Sequence, residues 1–264
     1  MPKETKTKTV AVALGVCLVC SVLVSSAAVS LQGKQERNKQ LDRLTNILVV
    51  GGLYSRKADI AQVFQEKIRS IIIDLETGSV LPEEKFDTAL NPDDFDIKKM
   101  ADSPRYGLSI PAPKDIAGIK RRPRYMTVYQ VIRNGALEKI ILPVYGKGVW
   151  STMYGFIALN NDLTTVEGFS FYEHGETPGL GGEVDNPAWR RSWVGKKAFD
   201  DRGKVAIEVL KGAVDPLSPE AVHQIDGLSG ASLTTRGVDK LVRYWLGEHG
   251  YGPYLGKLRR EGKA

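Results

Sequence analysis

Thiol chemistry has almost nothing to work with in this chain. It carries two cysteines in 264 residues, Cys17 and Cys20, and both lie in an apolar N-terminal run. The rest of the sequence can use no disulfide, no thiolate nucleophile and no cysteine-ligated metal. Cys17-Leu18-Val19-Cys20 has CxxC spacing, but its surroundings are of membrane type. Histidine is nearly as scarce: His174, His223 and His249 are too few and too scattered to suggest a metal site. There is no Ser-His-Asp or HExxH arrangement, which argues against a hydrolase, and no Walker P-loop. A net charge of +6 is modest. No basic stripe interleaves with aromatics, so nucleic acid is not an expected partner.

Charge is also missing from Val10 to Leu31, about 22 residues, a length that crosses a hydrocarbon core as a helix. A cleaved signal peptide is the rival reading, because Ser26-Ala27-Ala28 looks like a small-residue cleavage site. Signal apolar regions are shorter, which favours a retained anchor. Lysines and arginines flank both sides (Lys3, Lys6 and Lys8 against Lys34, Arg37, Lys39 and Arg43), so the positive-inside rule does not set the orientation.

The chain as a whole is 42% hydrophobic and 26% charged, the composition of a globular protein. Leu41, Leu44 and Leu48 continue a helical stripe that stops at Gly51-Gly52. Asp59 caps a short helix, and residues 70–75 read as a strand. Residues 82–124 are polar and Pro-rich and read as a long connection with short helical pieces. Asn134-Gly135 between two apolar runs is a strong hairpin signal. A second hairpin is expected around Asn160-Asn161-Asp162, and a further strand over Val205–Leu210. The basic stretch 257–263 reads as a solvated tail. The expected class is α+β: a transmembrane helix, then a mainly antiparallel sheet flanked by helices.

Two glycine-rich stretches carry the chemistry. Asp226-Gly227-Leu228-Ser229-Gly230-Ala231-Ser232-Leu233-Thr234 precedes a helix face of Val238, Leu241, Val242, Trp245 and Leu246. A helix N-terminus offers unpaired N–H groups and partial positive charge, which suits a phosphate, though an ordinary cap and turn has the same look. The loop Glu173–Gly182 holds four glycines and a proline, consistent with close backbone approach or with a plain tight loop. Gly179-Leu180-Gly181-Gly182 lacks dinucleotide-fingerprint spacing.

The first stretch resembles the covalent flavinylation motif Asp-x-x-Ser/Thr-Gly-Ala-Ser/Thr, found in the C subunit of the sodium-translocating NADH:quinone oxidoreductase and in the G subunit of the Rnf complex. Glu176-Thr177-Pro178-Gly179-Leu180-Gly181 resembles the second signature of the same family. Gly146-Lys147-Gly148-Val149-Trp150-Ser151 resembles a third segment. The resemblance implies FMN joined through a phosphoester to Ser232, where the family more often has Thr. Ser229, Gly230, Ala231 and Thr234 lie around it. It also implies Glu176, Thr177 and Leu180 at the isoalloxazine, Trp150 at the ring edge or phosphate side, and Lys211 near the phosphodiester. On the residues alone Trp150 could equally be core.

By the same resemblance, residues 1–9 are a cytoplasmic N-terminus and 10–31 a transmembrane helix in the bacterial inner membrane. Residues 32–124 are then the helical or mixed start of a periplasmic region, and 125–264 an FMN-binding domain. No base is evident beside Ser232, and the family relies on a separate magnesium-dependent flavin transferase with FAD as donor. The implied function is an electron relay among the other subunits of the complex that couples NADH oxidation and quinone reduction to sodium export. Asp74-Leu75-Glu76-Thr77-Gly78 favours the C subunit of that complex over the Rnf G subunit. A membrane-anchored binding or assembly module without redox activity is the reading of another class.

Overall fold

A computed structural model describes residues 5–262. By internal contacts the chain forms two units, one ending at Arg43 and one beginning at Leu44. The first holds most of helix α1 (Lys6–Val50), whose apolar stretch is long enough to cross a membrane and is not buried against protein. Helix α1 ends where the Gly51-Gly52 stop was expected: Gly51 N–H donates to Ile47 O at 2.9 Å, and Gly52 turns with φ +71°.

The second unit is built on a five-stranded antiparallel sheet. Its strands are β1 (Ile68–Asp74), β4 (Tyr125–Arg133), β5 (Ala136–Lys147), β6 (Thr152–Asn160) and β7 (Val166–Glu173), and they lie side by side in that order. Between β1 and β4 lie helix α3 (Ile97–Asp102) and a small ladder of β2 (Gly107–Ser109) with β3 (Arg121–Pro123). Helix α2 (Ile60–Lys67) precedes β1 and is capped by Asp59, whose carboxylate accepts from the N–H groups of Ala61 and Gln62. Asn134 and Gly135 both take positive φ, 53° and 79°, and Arg133 pairs with Ala136 across the turn. That is the two-residue hairpin with both central residues left-handed.

Side chains alternate across the sheet as a period of two requires. Met126, Val128, Ile140, Leu142, Ile157 and Leu159 face the main core, with Leu241, Trp245 and Leu255. Tyr129, Val131, Ile141, Phe156 and Ala158 face a second core closed by Ile47, Leu48 and Val50 at the end of α1. The sheet is therefore covered on both faces. At roughly 25 cal/mol per Å² of apolar area, each fully buried Leu or Ile contributes about 1.5–3 kcal/mol.

Three expectations change. The second hairpin turn is longer than its Asn-Asn-Asp core: Asp162 Oδ1 accepts from the N–H groups of Thr164 and Thr165, so β7 starts only at Val166. The strand expected over Val205–Leu210 shrinks to β8 (Glu208–Val209), which pairs in parallel with β9 (Gln224–Ile225). Ala206 and Ile207 N–H both donate to Ala198 O, which kinks the chain before β8 can extend backwards. The basic stretch is not a bare tail: Lys257–Arg260 end helix α6 (Gly252–Arg260), whose Tyr254, Leu255 and Leu258 are buried. The short helix α4 (Pro187–Arg191) and the long α5 (Ser232–Leu246) complete the unit.

Candidate functional site

The site forms where the start of α5 meets two loops leaving the sheet. Helix α5 packs on β5 at very short range. A Cβ on Gly146 would stand 2.4 Å from Leu241 Cβ, and one on Gly237 would stand 2.7 Å from Lys147 O. Two glycines thus let helix and strand touch backbone to backbone. This fixes the first turn of α5 beside the 148–151 loop that follows β5.

The turn into α5 is held by its own motif. Asp226 Oδ1 accepts from Val214 N–H at 2.7 Å, and Asp226 O accepts from the Trp189 indole at 2.8 Å. Thr235 Oγ1 accepts from Leu228 N–H and donates to Ala231 O, both at 3.0 Å. Gly230 has φ +71°, and a Cβ there would sit 3.3 Å from Leu180. Ala231 stands at the cap position and supplies no side-chain bond to the helix start. Helix α5 therefore begins without a side-chain cap, and its first residue is Ser232, exposed to solvent.

The second motif closes on the first. Gly175 N–H donates to Ser151 Oγ at 2.7 Å, tying the loop after β7 to the loop after β5. Glu176 is 6% exposed, and its carboxylate is turned into the protein. Oε1 accepts from the N–H groups of Val149 at 2.9 Å and Trp150 at 3.1 Å. Oε2 accepts from the Thr234 hydroxyl. His174 links the same loop to Asp185: Nε2 lies 2.8 Å from Asp185 Oδ2, and that bond raises the imidazole pKa above its ordinary value.

Between these segments lies a cleft of about 310 Å³, lined by residues 149–150, 176–177, 180–181 and 230–234. Larger grooves of about 820 and 890 Å³ lie elsewhere, around Tyr254 and Lys257 and around Lys197 and Arg259. Neither touches the two motifs, so the chemistry favours the smaller cleft, which is at the lower end of ligand-binding size, about 300–1,000 Å³. Much of its solvent-facing wall is apolar: Trp150 is 72% exposed, beside exposed Val149, Leu180 and Leu233. That exposure is unusual for so large an apolar side chain and removes the core reading of Trp150.

Eight of the ten residues expected at the site line this cleft: Trp150, Glu176, Thr177, Leu180, Gly230, Ala231, Ser232 and Thr234. Ser229 and Lys211 are exposed and are not among the lining residues. Lys211 sits behind the motif, where Gly227 N–H donates to Gly212 O at 2.8 Å. Val149, Gly181 and Leu233 also line the cleft; all three lie inside the quoted segments but were not singled out as site residues. Sequence reasoning also missed Ser151 and Thr235, whose roles depend on partners 24 and 7 residues away.

The arrangement suits a phosphorylated planar ligand. The uncapped helix start offers N–H groups and partial positive charge to an anion. Exposed Trp150 and Leu180 offer apolar surface to a ring. Among the lining residues Glu176 is the sole titratable side chain, and both its oxygens are engaged. The cleft therefore holds no free general base for Ser232.

Comparison with known proteins agrees with this geometry. The FMN-binding domain family matches residues 148–247. The C subunit of the Na(+)-translocating NADH-quinone reductase of Pseudomonas aeruginosa is 48% identical over 98% of both chains. That of Yersinia pestis is 43% identical over 96% of this chain and 92% of its own. The crystal structure of Shewanella oneidensis NqrC superposes with a TM-score of 0.75 at 34% identity, covering 84% of this chain and 99% of that one. The chain belongs to the family formed by the C subunits of the Na(+)-translocating NADH-quinone reductase.

Proposed function

We propose that Ser232 carries FMN through a phosphoester and that the cleft of Trp150, Thr177, Leu180 and Gly230–Thr234 receives the flavin. The chain is an FMN-carrying electron-relay subunit of the Na(+)-translocating NADH-quinone reductase, and the other subunits of that complex are its partners. Bound FMN supplies the electron-accepting and electron-donating chemistry, while the protein supplies position and electrostatics.

The observation that carries the attachment site is the unequal state of the motif's hydroxyls. Thr234 and Thr235 are each 2% exposed and their hydroxyls are committed to protein acceptors. Ser229 is exposed but lies outside the cleft. Ser232 is exposed, lines the cleft and opens the helix. It alone combines access with the phosphate-favouring helix start.

Attachment forms a bond from Ser232 Oγ to the FMN phosphorus of FAD. The pyrophosphate bond breaks, AMP leaves and the serine proton passes to solvent. With no base free in the cleft, a separate flavin transferase brings about this step. Anchoring by the N-terminal helix, with residues 32–264 on the periplasmic side of the bacterial inner membrane, is supported by the uncharged helix and by family membership. A covalent link there prevents the cofactor from diffusing away. Residues 125–264 then make up the FMN-binding domain, and 32–124 the helical or mixed N-terminal part of the periplasmic region, whose strand β1 pairs with β4.

The test is Ser232→Ala in the full chain co-expressed with the transferase. Ultraviolet-excited flavin fluorescence of the denatured band should vanish in the variant and be present in the parent. A band as bright as the parent's in Ser232→Ala would refute the assignment.

A further inference from the structure

We propose that Glu176 is a positioning residue for flavin attachment, a buried carboxylate that clamps the 148–151 loop to the first turn of α5 and so sets where the Ser232 hydroxyl stands. The inference rests on Ser232 being the acceptor. The motif would have Glu176 face the ligand. Instead its two oxygens are spent on protein: Oε1 on the N–H groups of Val149 and Trp150, Oε2 on the hydroxyl of Thr234. These partners lie up to 58 residues from Glu176 in sequence. They belong to the elements that form the cleft, namely the Trp150 wall and the helix start two residues beyond Ser232.

The seat of the carboxylate is built to fit. A Cβ on Gly148 would stand 2.5 Å from Oε1, and one on Gly181 would stand 2.7 Å from Oε2. Two glycines from different loops thus leave room for this one carboxylate and for little else. Hydrogen bonds to an ionised group are shorter and stronger than neutral ones, so a carboxylate with three such donors fixes geometry tightly. Its negative charge also lies beside the first turn of α5, where the helix has no side-chain cap and the macrodipole favours an anion. Because both oxygens are engaged, Glu176 acts on Ser232 only through Thr234 and the backbone, and not as a base.

A clamp of this kind shifts the attachment rate in a protein that is still folded, whereas a packing residue shifts only stability. The experiment incubates full-length apoprotein with the transferase, Mg²⁺ and FAD. It follows initial labelling by in-gel fluorescence, final stoichiometry by intact mass, and folding by thermal melting. Thr234→Val keeps the shape of the side chain and removes the donor; Thr234→Ser restores the donor. Thr234→Val and Glu176→Ala should label about tenfold more slowly, which converts to about 1.4 kcal/mol. That is close to the lower end of what one hydrogen bond to a charged group contributes. Thr234→Ser and Glu176→Gln should stay within about threefold of the parent, since the hydroxyl and one carbonyl acceptor remain.

A folded Thr234→Val protein labelled at the parental rate would overturn the clamp while leaving Ser232 as acceptor. A parent that takes up no flavin at Ser232 would overturn both. Should Glu176→Ala not fold, the Thr234 pair decides alone.

Discussion

Replacing Gly181 by alanine places one methyl group in the most crowded spot of the site. Its Cβ would lie 2.5 Å from Thr234 Oγ1, 2.7 Å from Glu176 Oε2 and 3.0 Å from Glu176 Cβ. Contacts below 3.0 Å are repulsive, so the Thr234–Glu176 bond must open or the loop must move. Overpacking of this kind costs about 1–3 kcal/mol. For a domain of 150–250 residues each kcal/mol moves the melting temperature by about 2–4 °C, giving a fall of about 2–12 °C. Gly212→Ala is the matched control: nothing lies within 4 Å of its would-be Cβ and its φ is not positive, so its change should stay within about 0.5 kcal/mol. Circular-dichroism melting of the two full-length variants in detergent, beside the parent, measures both. Gly181→Ala melting together with Gly212→Ala would refute the close packing of the two motifs. So would full-rate flavin labelling of Gly181→Ala, since the displaced Thr234 belongs to the turn that presents Ser232.

Other outcomes follow from particular contacts. Trp150→Ala should cost the fold less than about 0.5 kcal/mol, because the side chain is 72% exposed. It should nonetheless shift the absorbance or midpoint potential of the flavinylated protein, as should Leu180→Ala; unchanged spectra and potentials in both would remove the apolar wall from the flavin's surroundings. The His174–Asp185 bond raises the His174 pKa above 6.5. Protonation strengthens that 2.8 Å bond and gives up the weaker 3.2 Å bond that Nδ1 accepts from Glu176 N–H. The pair's stabilisation is therefore full below the unfolded value of about 6.5 and is lost as pH rises through the higher folded value. Asp185→Asn should flatten the fall of urea-measured stability across that window, and an unchanged slope would contradict the linkage. Edman sequencing of membrane-extracted protein should begin at Met1 or Pro2. A start near Val29 would show that the apolar segment is cleaved.

Much of this was written locally in the sequence. Asn134-Gly135 announced its hairpin because Asn and Gly readily take the two left-handed conformations that a tight turn between such runs uses. Asp59 and Gly51-Gly52 marked helix ends through backbone hydrogen bonds made within a few residues. The two motifs were legible as strings of glycines and hydroxyls, and seven of the eight residues expected from them meet in one cleft, joined there by Trp150. The direction of Glu176 was hidden because its donors lie 26 and more residues away. Helix α6 was masked by its charge: only Tyr254, Leu255 and Leu258 face inward, too few for a clear stripe in a basic segment. Residues 205–207 have strand composition, but the N–H groups of Ala206 and Ile207 are drawn to Ala198 O by a loop that sequence spacing does not register.

The most direct measurement is the mass of the tryptic peptide Gly212–Arg236 from full-length protein co-expressed with its transferase. It should gain the mass of FMN less one water, with fragment ions placing the added mass on Ser232. An unmodified peptide, or the same mass on Ser229, Thr234 or Thr235, would contradict Ser232 as the residue that carries the flavin.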